Sequence, residues 1–277
     1  MLKKLFAVLS VLFLLAGCDT PPRRIILEAA DNPLEILRQK DILRERGIND
    51  VILSELAINW DAPAERLADS RRVFREFRKQ QLFPHWQINL TETLPKWDSA
   101  NWATVNTALY NIVSEAKHAG IQGLVINTAA GRLWNPLYNP RYNDISDNLA
   151  EQIIYQRGRD FMQIIENVYP QIEIAVYPVG AFERSTPNYT YWHHFVNGLA
   201  SVQRRQPVKL IFNSQNSYGR FVNTPNAPPS ALETADLPLL PLYKIPDHSN
   251  PAETLANIQT LYEKYSQIIL RAKYSAL

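Results

Sequence analysis

Cysteine, glycine and net charge are all scarce in this chain, and each scarcity excludes a class of protein. The 277 residues contain one cysteine, Cys18, so a disulfide framework and a cysteine-based metal site are both excluded. The nine glycines are scattered and form no G-x-G-x-x-G motif, which argues against a dinucleotide-binding sheet. Basic and acidic residues nearly balance, at 29 and 27, and no basic stripe occurs, so nucleic acid is not expected as a partner.

Histidine also lacks the pattern of a metal site. The five histidines occupy positions 85, 118, 193, 194 and 248, and no pair among them has ligand spacing. His193 and His194 are adjacent, so their side chains diverge on a helix. We therefore expect neither a metal nor a cofactor.

Long apolar runs are missing except for one at the start. Lys3 and Lys4 precede an apolar run over residues 5–15, which is too short to span a bilayer, and Ala16, Gly17 and Cys18 follow it. This layout resembles the bacterial lipobox. In lipobox proteins the cysteine thiol is alkylated with diacylglycerol, the signal is removed, and the new amino terminus is acylated. The alternatives are an ordinary signal peptide or an uncleaved anchor.

The lipobox resemblance implies an exported, lipid-anchored protein. Residues 1–17 would be the signal peptide, Cys18 the lipidated residue, and 18–24 a short tether containing Pro21 and Pro22. Several acyl chains hold a protein firmly, since one chain alone binds only marginally. The expected location is the cell envelope, on a membrane and facing the periplasm or the exterior. Loss of Lys3 and Lys4 with the signal leaves the mature chain neutral.

Residues 25–277 read as one folded unit in which short β-rich runs alternate with amphipathic stretches. The hydrophobic content of 46% suffices for a large core, in one barrel or in two ordinary domains. The strand candidates are 24–29, 50–56, 83–89, 123–128, 172–177, 208–213, 237–243 and 267–272. The helix candidates are 33–46, 63–81, 101–119, 149–168, 191–204 and 251–265.

Eight strands alternating with helices predict an α/β fold of the (β/α)8 TIM-barrel type rather than an open doubly wound sheet. Two features predict distortion around strands 6 to 8. Residues 218–236 contain no convincing helix, and Pro238 and Pro241 remove hydrogen-bond donors from the seventh strand. The chain given also lacks an eighth helix after the last strand.

Ligand sites in such barrels lie at the rim formed by the carboxyl ends of the strands. This chain carries aromatic, amide and charged residues there, a combination that suits a flat, hydroxyl-rich ligand such as a carbohydrate. The predicted substrate-binding residues are Glu28, Trp60, Trp86, Asn127, Trp134, Tyr177, Asn213, Gln215, Tyr218 and Arg271. Structural roles stay open, because each tryptophan could pack between helices and sheet, and Glu28 and Glu55 could form ion pairs.

Three blocks resemble a family of bacterial glycoside-hydrolase-like TIM barrels that are often exported. They begin at Ala119-Gly120-Ile121-Gln122-Gly123, at Arg157-Gly158-Arg159-Asp160-Phe161-Met162, and at Lys209-Leu210-Ile211. The blocks lie within residues 97–218. The resemblance implies a barrel fold and a glycan ligand, with catalytic acids after the fourth and sixth strands.

The chain departs from that family at the positions where the family carries its catalytic acids. Asn127-Thr128-Ala129 occupies the place of an acidic Asp-Pro-Glu-like triplet, and Ser214-Gln215 occupies the place of an Asn-Glu pair. Glycoside hydrolysis usually requires two carboxyl groups, and an amide can neither ionise nor donate an acid proton. The resemblance thus implies that the usual catalytic pair is missing.

Two functional hypotheses follow, and a purely structural envelope lipoprotein is a third. The first is a tethered barrel that binds polysaccharide or a peptidoglycan-type glycan without cutting it. The second is an active glycoside hydrolase with relocated carboxylates, for which Glu55 and Glu183 are the catalytic candidates. Loss of acids at two separate positions, with the surrounding aromatic and amide residues kept, favours binding.

Overall fold

The computed structural model describes residues 24–29, 32–91, 93–128, 147–177, 190–213, 239–244, 256–257, 260–261 and 267–272. Eight parallel strands form a closed ring. They are β1 (Arg24–Ala29), β2 (Asp50–Leu53), β4 (Phe83–Asn89), β5 (Gly123–Asn127), β6 (Glu173–Tyr177), β7 (Lys209–Asn213), β8 (Leu239–Lys244) and β9 (Gln267–Ala272), while the two-residue strand β3 (Ile58–Asn59) is not part of the ring. The ring closes in the order β1-β2-β4-β5-β6-β7-β8-β9, because β2 pairs with both β1 and β4, and β9 pairs with β1. The fold is a (β/α)8 TIM barrel.

Helices surround the ring. They are α1 (Pro33–Arg38), α2 (Lys40–Glu45), α3 (Ala64–Lys79), α4 (Trp102–Ala119), α5 (Asp147–Val168) and α6 (Thr190–Ala200). The Asn32 side chain caps α1 by accepting a hydrogen bond from the Leu34 amide, and Gly120 ends α4 with a left-handed φ of 70°. No helix in the described part of the chain is long and apolar enough to cross a bilayer.

Most predicted bounds within the described ranges are confirmed within one or two residues, and the predicted helix 251–265 lies largely outside those ranges. Four differences stand out. The predicted helix 191–204 ends at Ala200. The predicted helix 33–46 is two short helices that meet at Gln39. The second strand ends at Leu53, because the chain turns into a 3₁₀ helix at Ser54–Leu56. A two-residue strand, β3 (Ile58–Asn59), then pairs with the end of β4.

The distortion predicted around strands 6 to 8 falls mainly on the segments before and after β8. Residues 214–238 and 245–255 of these segments lie outside the described ranges. The ladder itself continues through this region. Leu242 of β8 pairs with both Asn213 of β7 and Ile269 of β9, and the proline at 241 pairs with Phe212. The pairing between β6 and β7 is shorter, with two residue pairs.

Two apolar layers form the core, and the period of two in each strand separates them. One layer lies inside the ring and consists of Ile26, Ile52, Val125, Ala175, Ile211, Leu242 and Ile269. The other lies between the ring and the helices, where Leu27, Leu53 and Trp86 are fully buried. Inward-facing polar residues therefore collect at the two ends of the ring, above and below the inner apolar layer.

Candidate functional site

The carboxyl ends of β1, β4, β5 and β6 place polar side chains together at one rim. Asn89, Asn127 and Tyr177 are paired across the last register of β4, β5 and β6, so they form one row. Glu28 lies at the equivalent end of β1, in register with Ile52 of the inner layer. We call these four residues, with Ser54, Asn59 and Gln87, the carboxyl-end rim.

The carboxylate of the rim is held from two sides. Glu28 is 4% exposed, its Oε2 accepts a hydrogen bond from the Tyr177 hydroxyl at 2.7 Å, and its Oε1 accepts one from the Ser54 hydroxyl at 3.2 Å. Ser54 can reach Glu28 because the chain turns at the end of β2. Both hydroxyls donate, so the two oxygens of Glu28 are held by side chains from β6 and from the turn after β2.

A chain of amides occupies the adjoining part of the rim. Gln87 Nε2 and Asn127 Nδ2 both donate to Asn89 Oδ1, each at 2.9 Å. Asn89 Nδ2 lies 3.5 Å from Asn59 Oδ1, at the limit of hydrogen bonding. Each amide carries both donors and an acceptor, so this chain offers both kinds of partner to a ligand.

Trp60 lies beside the amide chain on the exposed side. The short strand β3 positions it, because the Trp60 backbone amide donates to the Asn89 carbonyl at 3.1 Å. Its indole Nε1 donates to Thr93 Oγ1 at 3.0 Å, and Thr93 is 3.4 Å from an Asp61 carboxylate oxygen. The ring is half-buried against the outer core, so one aromatic residue borders the rim.

The predicted ligand contact of Trp86 is wrong. The Trp86 side chain is 0% exposed, its Nε1 donates to the Leu56 carbonyl at 2.9 Å, and its ring lies edge-on to Phe74 of α3 at 5.1 Å. Alternation along β4 explains the error, because Gln87 faces into the ring and Trp86 must therefore face the helices. Trp86 is a core residue.

Glu55 does not stand inside the ring. It is an exposed residue of the 3₁₀ turn after β2, and its backbone carbonyl accepts from Arg66 at 3.2 Å. Its expected place at a strand end required β2 to continue to Leu56, whereas β2 ends at Leu53. The structure brings Glu28 into the rim instead.

Several predicted residues lie outside the part of the chain that can be described. These are Cys18, Trp134, Glu183, Gln215 and Tyr218. For Asn213 and Arg271 the strand position is described, and both fall at the carboxyl ends of their strands, Arg271 in register with Glu28. The structure thus brings Glu28, Asn127 and Tyr177 together, with Trp60 nearby.

Four rim residues are absent from the predicted ligand contacts: Ser54, Asn59, Gln87 and Asn89. The signal for Gln87 was present, because His85, Gln87 and Asn89 alternate with Pro84, Trp86 and Ile88 along β4. Ser54 carried no such signal, since its contact with Glu28 depends on the turn that ends β2. Among the described residues, no group of three or more His, Cys, Asp or Glu side chains could hold a metal ion.

The opposite end of the ring contains a buried ionic cluster. Arg24 Nε donates to Asp50 at 2.8 Å and Arg24 Nη1 donates to Glu173 at 2.5 Å, while Lys209 lies 3.2 Å from Glu173. His85 joins through a 3.0 Å contact with Asp50, so this histidine lies far from the carboxyl-end rim. These groups close the amino-terminal end of the barrel.

Charge partners in this cluster outweigh burial. Burial alone would raise the pKa of Asp50, but hydrogen bonds from Arg24 and His85, and their charges, lower that pKa to about 2. Burial likewise opposes ionisation of Glu173, whose pKa is lowered by Lys209 and Arg24. The cavity between this cluster and the inner apolar layer measures about 10 Å³, which leaves space for one water molecule at most.

Neither a family model nor a curated protein sequence matches this chain.

Solved structures do share its fold. A GH18 chitinase from Pseudoalteromonas aurantia has a TM-score of 0.54 at 12% identity, covering 91% of this chain and 94% of that chain. A Thermobaculum terrenum O-GlcNAc hydrolase mutant has a TM-score of 0.56 at 12% identity, covering 91% of this chain and 55% of that chain. Morphinone reductase has a TM-score of 0.53 at 10% identity, covering 90% and 82%. These identities establish the barrel fold alone, since the three neighbours differ in chemistry.

Proposed function

We propose that this protein is a lipid-anchored protein of the cell envelope whose barrel binds a glycan at the carboxyl-end rim. The observation that carries the proposal is the row of Asn89, Asn127 and Tyr177 beside Glu28. Sugar hydroxyls both donate and accept, and this row supplies amide donors, amide acceptors and a phenol at fixed positions. The ligand class would be polysaccharide or a peptidoglycan-type glycan.

Binding without hydrolysis is favoured by the chemistry of the row. A glycosidase needs two carboxyl groups about 5 to 5.5 Å apart for retention, or roughly 6.5 to 9.5 Å apart for inversion. At the end of β5, the place where the resembled family carries acids, this chain has the amide of Asn127, which donates to Asn89. Both oxygens of Glu28 already accept hydrogen bonds from Tyr177 and Ser54.

An active glycoside hydrolase with relocated carboxylates is the second candidate. This candidate is supported by the buried carboxylate of Glu28 inside the rim and by the activities in the names of the chitinase and O-GlcNAc hydrolase neighbours. Its catalytic candidates remain Glu55 and Glu183, the first exposed beside the rim and the second outside the described residues. The two candidates differ in one observable, the release of a reducing end.

A glycan array combined with a reducing-sugar assay tests both candidates. The protein would be the soluble form that starts at Asp19, with the rest of the chain intact. We expect retention on one class of glycan without new reducing ends. Release of reducing ends would establish hydrolysis instead, and its loss in the Glu55→Gln or the Glu183→Gln variant would identify the relocated carboxylate. Absence of binding to every glycan would overturn the proposal.

The lipid anchor is a separate part of the proposal, and it is supported by the sequence around Cys18. The anchor predicts that the wild-type chain incorporates labelled fatty acid and loses residues 1–17, and that the Cys18→Ser variant does neither, because removal of a lipobox signal follows alkylation of the cysteine. Partition into detergent does not distinguish the two proteins, since the variant keeps its apolar signal. A wild-type chain without labelled fatty acid would overturn the lipid anchor in favour of an ordinary signal peptide or an uncleaved anchor.

A further inference from the structure

Basic side chains collect at the end of the barrel opposite the rim. Helices run antiparallel to the strands they follow, so α3 and α4 end at the amino-terminal side of the ring. Arg75 and Arg78 lie in the last turns of α3, Lys117 lies in the last turn of α4, and Arg205 lies between α6 and β7; all four are exposed. Together these four residues define what we call the amino-terminal face.

The contacts of these basic groups leave their charge in place. Arg75 Nε donates to the His118 carbonyl at 3.3 Å, and Lys117 Nζ donates to the Val168 carbonyl at 2.9 Å. The Arg78 guanidinium lies 4.6 Å from the centre of the Phe83 ring. Backbone carbonyls and an aromatic ring hold these three cations without neutralising them. The acidic residues Glu76, Glu115 and Glu166 at the same helix ends are paired with other cations, Lys79, Arg71 and Arg204, so the face keeps a positive potential.

A groove opens on the same side, between the carboxyl-terminal halves of α4 and α5. It has a volume of about 450 Å³, and Tyr110, Lys117, His118, Ile164 and Val168 are among its lining residues. Tyr110 is 55% exposed. A tyrosine and aliphatic side chains next to a lysine are typical of surfaces that meet the interfacial region of a bilayer.

The length of the tether limits which face can approach the membrane. Six residue steps separate Cys18 from Arg24, which is about 20 Å of fully extended chain. Arg24 begins β1 at the amino-terminal end of the ring. The six residues of β1 add roughly 20 Å more before the carboxyl-end rim is reached, at about 3.3 Å for each residue.

We propose that the amino-terminal face docks on the anionic headgroup layer of the membrane that carries the anchor, with the carboxyl-end rim turned away from it. The proposal rests on the lipid anchor stated above. The occupant of the face is the lipid headgroup layer, whose phosphates are opposite in charge to the cations and whose interfacial region suits the tyrosine and aliphatic side chains of the groove. The glycan site then opens toward the space beyond the membrane.

Energy transfer to membrane-bound acceptors measures the orientation directly. The chain from residue 19 would be attached through an amino-terminal hexahistidine tag to vesicles with a nickel-chelating lipid, made of neutral lipid alone or with added phosphatidylglycerol. This chain contains no cysteine, so Asn167→Cys in the groove and Ala100→Cys near the rim each give one labelling position. We expect transfer from position 167 to exceed that from position 100 several times on anionic vesicles. Equal or reversed transfer would overturn the proposal.

A pair of charge variants tests the cause of the orientation. Removal of one basic residue near an anionic surface lowers partition up to roughly fivefold. We expect Lys117→Gln with Arg205→Gln to weaken sedimentation of the untagged chain with phosphatidylglycerol vesicles about tenfold. The matched control, Arg66→Gln with Lys96→Gln, removes the same charge from exposed positions in the first turn of α3 and before α4, at the opposite end of the barrel, and should change binding less than twofold.

The outcomes separate this inference from the proposed function. Equal loss in the two variant pairs, or no binding of the wild-type chain to anionic vesicles, would overturn the docking of the amino-terminal face. The tag replaces the anchor, so a failure of lipidation at Cys18 would leave these results unchanged. Glycan retention by the Lys117 and Arg205 variants should equal that of the wild type, because both residues lie at the end opposite the rim.

Discussion

At the scale of single residues, the rim is organised by two acceptors and their donors. The Glu28 carboxylate receives the Tyr177 and Ser54 hydroxyls, and Asn89 Oδ1 receives Gln87 and Asn127. Each acceptor orients side chains from other parts of the ring, so loss of one member leaves a polar atom without its partner. The rim therefore presents a fixed pattern rather than independent side chains.

Asn127 gives the most direct test of glycan binding. The Asn127→Ala variant removes an amide from the centre of the row, and a lost hydrogen bond of about 1.4 kcal/mol corresponds to roughly tenfold weaker retention. Affinity electrophoresis in the glycan identified by the array measures this change. Asn111→Ala is the matched control, since Asn111 is an exposed residue of α4 away from the rim. Equal retention by both variants would contradict a role of the row in binding.

Asp50 makes the stability of the barrel depend on acid. Its pKa in the folded chain is about 2 because Arg24 and His85 outweigh burial, whereas an unfolded aspartate has a pKa of about 3.9. Ionised Asp50 therefore contributes about 2 to 3 kcal/mol above about pH 4, and this contribution is lost as the pH falls toward 2. Urea unfolding should show the Asp50→Asn variant less stable by a similar amount near neutral pH. The difference should shrink below about pH 4, and a difference that is constant with pH would contradict this assignment.

At the scale of elements, hydrophobic periodicity predicts the ring but does not predict every turn. The bounds of β1, β4 and β9 follow from the sequence, because their apolar runs stop at polar or turn-forming residues. The turn at Ser54 is not predictable in this way, since Glu55-Leu56 continues the β-rich pattern of β2. Trp86 is a different case, because residue type alone suggests a ligand contact, whereas the alternation along β4 places it on the side of the helices.

Two glycines explain how α5 and α6 come together. A Cβ on Gly158 would lie 2.0 Å from the Phe195 carbonyl oxygen, and a Cβ on Gly198 would lie 2.0 Å from the Tyr155 carbonyl oxygen. The backbones of the two helices thus touch at these positions, where no side chain fits. The block that begins at Arg157 therefore contains a glycine because the helices pack closely there, and not because a ligand binds there.

Gly158→Ala should destabilise the protein although alanine favours a helix. The intrinsic gain is about 1 kcal/mol, whereas a contact of this kind with backbone forces the helices apart at a cost of about 3 kcal/mol or more. We expect a net loss of at least about 2 kcal/mol in the free energy of unfolding, measured with urea.

Gly47→Ala is the control for this prediction. Gly47 has a φ of 71° and no atom within 4 Å of an added Cβ, so the variant carries only the cost of left-handed backbone, about 1 to 2 kcal/mol. A Gly158→Ala protein as stable as the wild type would show that α5 and α6 are farther apart than described.

At the scale of the whole molecule, the barrel has two unlike ends separated by an apolar layer. Ile26, Val125 and Ile269 belong to that layer, with the ionic cluster of Arg24 below and the rim of Glu28 above. The strands that carry both ends are the same, so closure of the ring sets the geometry of the rim and of the cluster together. The first and last strands close it, since β1 pairs with β9 over six residue positions.

Removal of β9 should therefore abolish cooperative folding. A chain that ends at residue 266 loses Ile268, Ile269 and Leu270, all 0% exposed, and it leaves β1 and β8 without their shared neighbour. Loss of three buried aliphatic side chains at about 2 kcal/mol or more each removes much of a typical stability of about 5 to 15 kcal/mol. Urea unfolding followed by circular dichroism should show no sigmoidal transition, and a peptide of residues 267–277 added in excess should restore part of it. A transition at the wild-type midpoint without the peptide would mean that β9 does not close the ring.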